Sequence, residues 1–163
     1  MARRVFFSFH YGRDIWRANV VRNSWLLHPD RESAGFWDAS LWEETKCVGR
    51  GAVTRLIDTA LYNTSVTVVL IGGETAQRDY VRYEIQESYY RNNGLLGVYV
   101  NKIPVGRGRV VDRKGTNPFR SLYDADAGVY LSDMFPTYDW YRDGGYQNFG
   151  DWVEEAARQS GRG

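Results

Sequence analysis

The sequence predicts an α/β fold: a flavodoxin-like, doubly wound parallel sheet of about five strands in the order 2-1-3-4-5, with helices on both faces. Two segments, 66–71 and 95–100, are apolar almost without interruption. Such runs are typical of parallel strands buried on both faces, because a strand with one wet face alternates between apolar and polar residues. Helical patterns stand between the strands, and this alternation requires right-handed crossovers.

The first half of the chain supplies two strands and two helices around this pattern. Residues 4–10 form the first strand, and Asp14 is a suitable N-cap for a helix that runs to about residue 27. Residues 35–39 predict a short second strand, and residues 49–62 a second helix with an inward apolar face.

The second half begins with the third strand, which the turn Gly72-Gly73 ends. A helix over 76–92 follows it, and Thr75 is the expected cap. The remaining patterns are weaker. They predict a long irregular segment at 101–127, a short strand at 128–131 and an extended segment at 138–141. A helix at 148–159 and a frayed tail at 160–163 follow.

Length and composition narrow the class of protein. The 163 residues predict a single domain over 1–163. Lys plus Arg is 21 and Asp plus Glu is 20, a balance that favours neither nucleic acid nor an anionic membrane as partner. The single cysteine, Cys47, fits a reducing compartment, and no Cys/His cluster indicates a metal. We therefore expect a cytoplasmic protein without a signal peptide or membrane span.

Glu84 is the main candidate for chemistry. It lies on the predicted helix after the third strand, at the edge of the face that packs on the sheet. In open α/β sheets, ligands bind at the nearby carboxyl edge. The alternative is a surface carboxylate paired with Arg78, Arg82 or Arg91.

Two other features have a functional and a structural interpretation. Gly72-Gly73 is either a tight turn or a phosphate-binding loop, although no GxGxxG or P-loop lysine accompanies it. Arg107, Arg109, Arg113 and Lys114 form a basic loop. That loop is either solvated or in contact with RNA or phosphate.

Three segments carry a recognisable pattern: FFSFHYGRD at 6–14, DASLW at 38–42 and RDYVRYEI at 78–85. With them the chain resembles TIR-domain proteins, and within these the ThsB-like proteins of the bacterial Thoeris anti-phage defence system. In TIR domains an aromatic residue, usually Trp, stands four positions before the glutamate; here it is Tyr80. The resemblance covers most of the chain.

The resemblance implies an enzyme that breaks the nicotinamide–ribose bond of NAD and forms a cyclic ADP-ribose isomer. That product would activate a ThsA-like effector, and activity would depend on a trigger. NAD⁺ would be the substrate rather than a bound cofactor, and Glu84 the catalytic carboxylate. Aromatic walls and polar groups for ribose or phosphate would come from Phe6, Ser8, His10, Tyr11, Asp38, Trp42 and Tyr80.

A function from another class remains open: a non-catalytic TIR-type adaptor would act through protein contacts. Separately, the length and glycines of segment 101–127 predict a lid or a surface for self-assembly. A receiver or FMN carrier is disfavoured, because the third strand ends in Ile71-Gly72-Gly73 where a receiver has its phosphoacceptor Asp.

Overall fold

A five-stranded parallel sheet forms the centre of the molecule. The structure is a computed structural model and describes residues 3–34, 45 and 47–162. The strands of the described residues, in chain order, are β1 Arg3–Ser8, β2 Arg31–Ala34, β3 Val66–Ile71, β4 Gly94–Tyr99, β5 Tyr123–Asp124, β6 Val129–Tyr130 and β7 Thr137–Asp139. The sheet order is β2-β1-β3-β4-β7, with every neighbouring pair parallel. This confirms the predicted order 2-1-3-4-5, since β5 and β6 form a separate hairpin.

Helices cover both faces of the sheet. They are α1 Tyr11–Trp25, α2 Arg50–Leu61, α3 Asp79–Tyr90, α4 Leu131–Met134 and α5 Gly145–Gln159. Trp25 of α1 and Phe149 of α5 share one apolar cluster with β1, β3 and β4. On the opposite face, Ile57 of α2 and Ile85 of α3 are fully buried. Each such side chain contributes about 1.5–3 kcal/mol through its removal from water. Within the described residues, no helix is long and apolar enough to cross a membrane.

The alternation of β1 decides which of its side chains reach the candidate site. Successive residues of a strand point to opposite faces. Val5 and Phe7 belong to the cluster under α1 and α5, whereas Phe6 belongs to the cluster under α2. Ser8 therefore points to the same face as Phe6, toward α2 and α3.

Two strands differ from their predicted places. The second described strand is β2, and the predicted strand at 35–39 lies outside the described residues. The predicted final strand at 128–131 is wrong as a member of the sheet, because its residues in β6 pair antiparallel with β5. The fifth strand of the sheet is β7, which pairs with Gly97–Tyr99 and overlaps the predicted extended segment at 138–141. Patterns of two or three residues are too short to indicate which partner a strand will choose.

Helix α1 begins earlier than predicted. Its N-cap is His10, so the prediction that Asp14 caps the helix is wrong. Asp14 instead lies in the first turn with no exposed surface, and Arg17 Nη1 donates a hydrogen bond to its Oδ1 at 3.2 Å.

Thr75 also has a different role from the predicted cap. The N-cap of α3 is Arg78, and Thr75 begins a separate 3-10 turn, Thr75–Gln77. The backbone N–H of Gly72 donates to Thr75 Oγ1 at 2.8 Å, and that hydroxyl donates to the carbonyl of Leu70 at 3.3 Å. The hydroxyl thus closes the turn after β3 and is not available to α3.

Segment 101–127 is long but docked against the sheet edge. It contains an isolated bridge between Val105 and Val110, a 3-10 turn at Pro118–Ser121, and β5. Arg17 Nε donates to the carbonyl of Ile103 at 3.0 Å.

The C-terminal tail, which was predicted to be frayed, makes specific contacts. The backbone N–H of Arg162 donates to the carbonyl of Ala157 at 2.7 Å.

Candidate active site

The candidate site centres on a buried pair, Ser8 and Glu84. Ser8 is the last residue of β1 and has no exposed surface, and Glu84 on α3 is 5 % exposed. The Ser8 hydroxyl donates a hydrogen bond to Glu84 Oε2. The pair lies at the carboxyl end of β1, the edge at which α/β sheets bind ligands.

Burial determines the protonation of Glu84. Loss of hydration raises the pKa of its carboxyl group to about 8, and the hydrogen bond from Ser8 opposes this rise. Burial disfavours the charged form of a carboxyl group, whereas a nearby cation favours it. Among the described residues no basic side chain forms an ion pair with Glu84. In this state Glu84 holds a proton at neutral pH, and a cation bound beside it would ionise it.

The alternative of a surface ion pair for Glu84 is wrong. Arg78 approaches Glu74, Arg91 approaches Asp58 and Glu87, and Arg82 donates to the Ser121 carbonyl. None of these arginines contacts Glu84, which faces the sheet. The prediction that Glu84 lies at the edge of the buried face is therefore consistent with its position.

Phe6 and Tyr80 lie together on the face that holds Glu84. Phe6 has no exposed surface and packs in the cluster of Ala34, Val53, Ile57 and Leu61. Tyr80 is half-buried against that cluster, one helical turn before Glu84. Phe6 is thus a core side chain whose cluster supports Tyr80, and in this conformation its ring presents no surface to a ligand.

His10 and Tyr11 diverge after β1. His10 is half-buried, and its Nδ1 atom is buried without a hydrogen-bond partner among the described residues. Burial lowers the pKa of His10, as does the charge of Arg78, so the ring is neutral at neutral pH. Tyr11 packs instead toward the other face, with its ring centroid 6.1 Å from that of Phe9. Asp38 and Trp42, the other two candidates, lie outside the described residues.

The Gly72-Gly73 turn approaches α1 very closely. A Cβ atom on Gly72 would lie 2.1 Å from Asp14 Oδ2, so only glycine fits there. The Asp14 carboxylate therefore fills the space beside Gly72, which favours the tight-turn interpretation. Asp14 Oδ2 has no hydrogen-bond partner among the described residues, and burial raises the pKa of this carboxyl group. No single-sequence pattern marks Asp14 as buried, because its contact with Gly72 is long-range.

An ionic cluster borders the same edge and was not predicted. Arg13, Arg78 and Arg113 all approach the Glu74 carboxylate, with N–O distances of 3.3, 3.5 and 3.8 Å. Arg13 Nε and Nη2 also donate to the two oxygens of Asp112, each at 2.8 Å. The arginine-rich composition of 107–114 was the available signal, but it did not indicate which arginine approaches Glu74.

Comparison with known proteins identifies the family. Residues 6–104 match the family described as "Thoeris protein ThsB, TIR-like domain". The chain belongs to this family. A relative from Bacillus cereus (strain MSX-D12), named "Putative cyclic ADP-D-ribose synthase ThsB1", is 38 % identical over 192 aligned positions, which cover 94 % of this chain and 100 % of the relative. The predicted resemblance to ThsB-like TIR proteins is confirmed.

A solved structure, described as a conserved protein from Enterococcus faecalis V583, also aligns with this ThsB-family chain. The alignment covers 98 % of this chain and 99 % of the Enterococcus faecalis chain, with 14 % sequence identity and a TM-score of 0.41. That similarity is too low to support any argument about fold or function.

Among the described residues, no group of three or more His, Cys, Asp or Glu side chains is arranged to hold a metal ion.

Proposed function

We propose that this ThsB-family protein cleaves the nicotinamide–ribose bond of NAD⁺ and forms a cyclic ADP-ribose isomer. The observation that carries the proposal is the buried Ser8–Glu84 pair at the carboxyl edge of the sheet. The name of the Bacillus cereus relative, a putative cyclic ADP-ribose synthase, supports the same reaction.

The reaction suits a carboxylate in a dehydrated site. Nicotinamide leaves as a neutral molecule, so its departure needs no general acid. The ribose then carries positive charge, as in the oxocarbenium-like transition state of glycoside hydrolysis. A carboxylate in a low-dielectric site stabilises such charge far better than one in water. Glu84 would supply that carboxylate, and Ser8 would hold its Oε2 in place.

Substrate binding would itself ionise Glu84. The nicotinamide ring of NAD⁺ is a cation, and a cation close to a carboxyl group lowers the pKa of that group. Burial alone raises the pKa of Glu84 to about 8. Charge on Glu84 would therefore develop when the positively charged nicotinamide ring enters, and an empty site would not carry an unpaired buried carboxylate.

Cyclisation requires that an adenine nitrogen or a ribose hydroxyl of the same dinucleotide reach the anomeric carbon before water does. Rings around the site would fold the dinucleotide and exclude water. Tyr80 is half-buried on the helix that carries Glu84, against the cluster that contains Phe6. Further candidates to complete the walls and to bind ribose or phosphate oxygens are His10, Asp38 and Trp42, whereas Tyr11 packs toward the other face of the sheet. The product would diffuse to a ThsA-like effector, and an infection trigger would switch on the activity.

The test compares wild type with Glu84→Gln in cells challenged with phage. Glu87→Gln is the matched control, because Glu87 lies on the same helix but pairs with Arg91 at 4.0 Å. Filtered lysates would be analysed by mass spectrometry for nicotinamide and cyclic ADP-ribose isomers, and thermal unfolding would check folding. We expect product from wild type and Glu87→Gln and none from Glu84→Gln.

Other outcomes would redirect the assignment. Product from all three proteins would retain the NAD reaction and remove Glu84 from it. Absence of product from all three folded proteins, with defence against phage intact, would contradict the enzyme and favour a non-catalytic adaptor.

A further inference from the structure

Three arginines from separate parts of the chain meet at one carboxylate, Glu74. Arg13 comes from the first turn of α1, Arg78 caps α3, and Arg113 belongs to segment 101–127. Glu74 Oε1 is 3.3 Å from Arg13 Nη1 and 3.8 Å from Arg113 Nη2, and Glu74 Oε2 is 3.5 Å from Arg78 Nη2. We call Arg13, Arg78 and Arg113 the arginine cradle.

Glu74 satisfies the arginine cradle only in part. Its three contacts are longer than the 2.8 Å hydrogen bonds that join Arg13 to Asp112. Three guanidinium groups offer many more N–H donors than one carboxylate has lone pairs to accept. The arginine side chains are 37, 47 and 62 % exposed, and Glu74 is 30 % exposed. Donors therefore remain directed toward solvent, where a larger anion could bind.

The cradle lies at the same edge as the Ser8–Glu84 pair. Glu74 follows the Gly72-Gly73 turn at the end of β3, and β3 pairs with β1 beside Ser8. The backbone N–H of Arg13 donates to the carbonyl of His10 at 3.3 Å, so His10 lies beside the cradle. His10 is two residues beyond Ser8, a distance of about 7 Å along an extended chain. One extended ligand could span both places.

Close approach of segment 101–127 completes the cradle. A Cβ atom on Gly73 would lie 2.9 Å from Asp112 Oδ2 and 3.1 Å from Arg113 Cγ. The absence of a side chain at Gly73 lets this part of the segment rest on the turn. Asp112 in turn holds Arg13 through two hydrogen bonds of 2.8 Å. The fold thus brings Arg13 and Arg113 to the same oxygen of Glu74, Oε1.

We propose that the arginine cradle binds the diphosphate of the dinucleotide and that Glu74 occupies it until substrate arrives. This inference rests on the proposed reaction with NAD⁺ and adds the diphosphate subsite and its internal competitor. Arginine forks match phosphate oxygens in pairs of parallel hydrogen bonds. A diphosphate carries a negative charge on each phosphate, so it outcompetes a single carboxylate for the three cations.

The experiment measures binding of inorganic pyrophosphate to the full chain by isothermal titration calorimetry. Glu74→Gln removes the competitor and should bind pyrophosphate about two- to fivefold more tightly than wild type. Arg78→Gln and Arg113→Gln should each bind about tenfold more weakly. Arg107→Gln, on the same segment and exposed, is the matched control and should leave affinity unchanged. All four positions are exposed or half-buried, so the variants should fold.

The outcomes separate this inference from the proposed reaction. Pyrophosphate affinities that follow the expected order, in a protein that makes no product, would support the cradle and contradict the reaction. Loss of product in Glu84→Gln, together with unchanged pyrophosphate affinity and unchanged KM for NAD⁺ in both arginine variants, would support the reaction and overturn the cradle. No binding of millimolar pyrophosphate to either wild type or Glu74→Gln would also overturn the cradle.

Discussion

Two glutamates ten residues apart at the same sheet edge have opposite environments. Glu84 is 5 % exposed, accepts a hydrogen bond from a neutral hydroxyl, and forms no ion pair among the described residues. Glu74 is 30 % exposed and lies within 4 Å of three arginines. The same residue type thus has different surroundings, and the two proposals follow from them: Glu84 would stabilise a developing cation, and Glu74 would compete with an anion.

The largest expected effect separates the two glutamates by kinetics. Glu84→Gln should lower kcat by on the order of 10²–10³, because it removes the charge that stabilises the transition state. Glu74→Gln should leave kcat unchanged and lower KM for NAD⁺, because it removes only a competitor for binding. Steady-state kinetics on activated protein would check both. Equal losses of kcat in the two variants would contradict the division of roles.

The pH dependence of activity should report Glu84. If the ionised form is required, kcat/KM should fall by about tenfold per pH unit below the pKa of the free enzyme. Burial raises that pKa to about 8, and the Ser8 hydrogen bond lowers it. Ser8→Ala should therefore move the profile to higher pH, whereas Glu74→Gln should not move it. A profile that is flat between about pH 6 and pH 9 would exclude Glu84 as the ionising group.

Stability should also depend on pH through Glu84. The folded-state pKa of about 8 lies above the ordinary value of 4.5. A group with a raised pKa contributes stability that is present below its unfolded pKa and is lost as pH rises through the folded value. The Glu84→Gln variant should thus match the stability of wild type near pH 4.5. Near pH 8 its free energy of unfolding should exceed that of wild type by on the order of a few kcal/mol.

Thermal unfolding of both proteins across that pH range would measure this difference. The Glu87→Gln control should show no such pH-dependent gain, since Glu87 is only half-buried beside Arg91. A Glu84→Gln variant that is less stable than wild type near pH 8 would contradict the protonated, dehydrated state of Glu84.

The smallest effect concerns the turn between the two glutamates. Gly72→Ala would place a Cβ atom 2.1 Å from Asp14 Oδ2, which forces the turn and α1 apart. Overpacking of this kind costs about 1–3 kcal/mol. Gly12→Ala is the matched control, because a Cβ atom there has nothing within 4 Å among the described residues beyond its chain neighbours and the backbone of its own helix. Chemical denaturation would measure the free energy of unfolding of both variants. Equal values would show that α1 moves away from this contact without a measurable cost in stability.

Local patterns in the sequence account for most of the architecture. The apolar run 66–71 predicted a strand buried on both faces, and every residue of β3 is buried. Alternation of strands and helices predicted the sheet order, which the structure confirms. Helical periodicity also placed Glu84 at the edge of the face that packs on the sheet. These predictions succeed because hydrophobic periodicity is read within a single element and requires no knowledge of its neighbours.

Only the tertiary structure determined which distant groups meet. Ser8 and Glu84 are 76 residues apart, and their contact depends on the register of β1 and the rotation of α3. The burial of Asp14 against Gly72, the choice of β7 as fifth strand and the assembly of the arginine cradle are likewise contacts between separate segments. The sequence by itself determined the layers of the fold and the helix that carries Glu84. Folding decided the electrostatics, because pKa values and ion pairs depend on burial and on charges brought together in space.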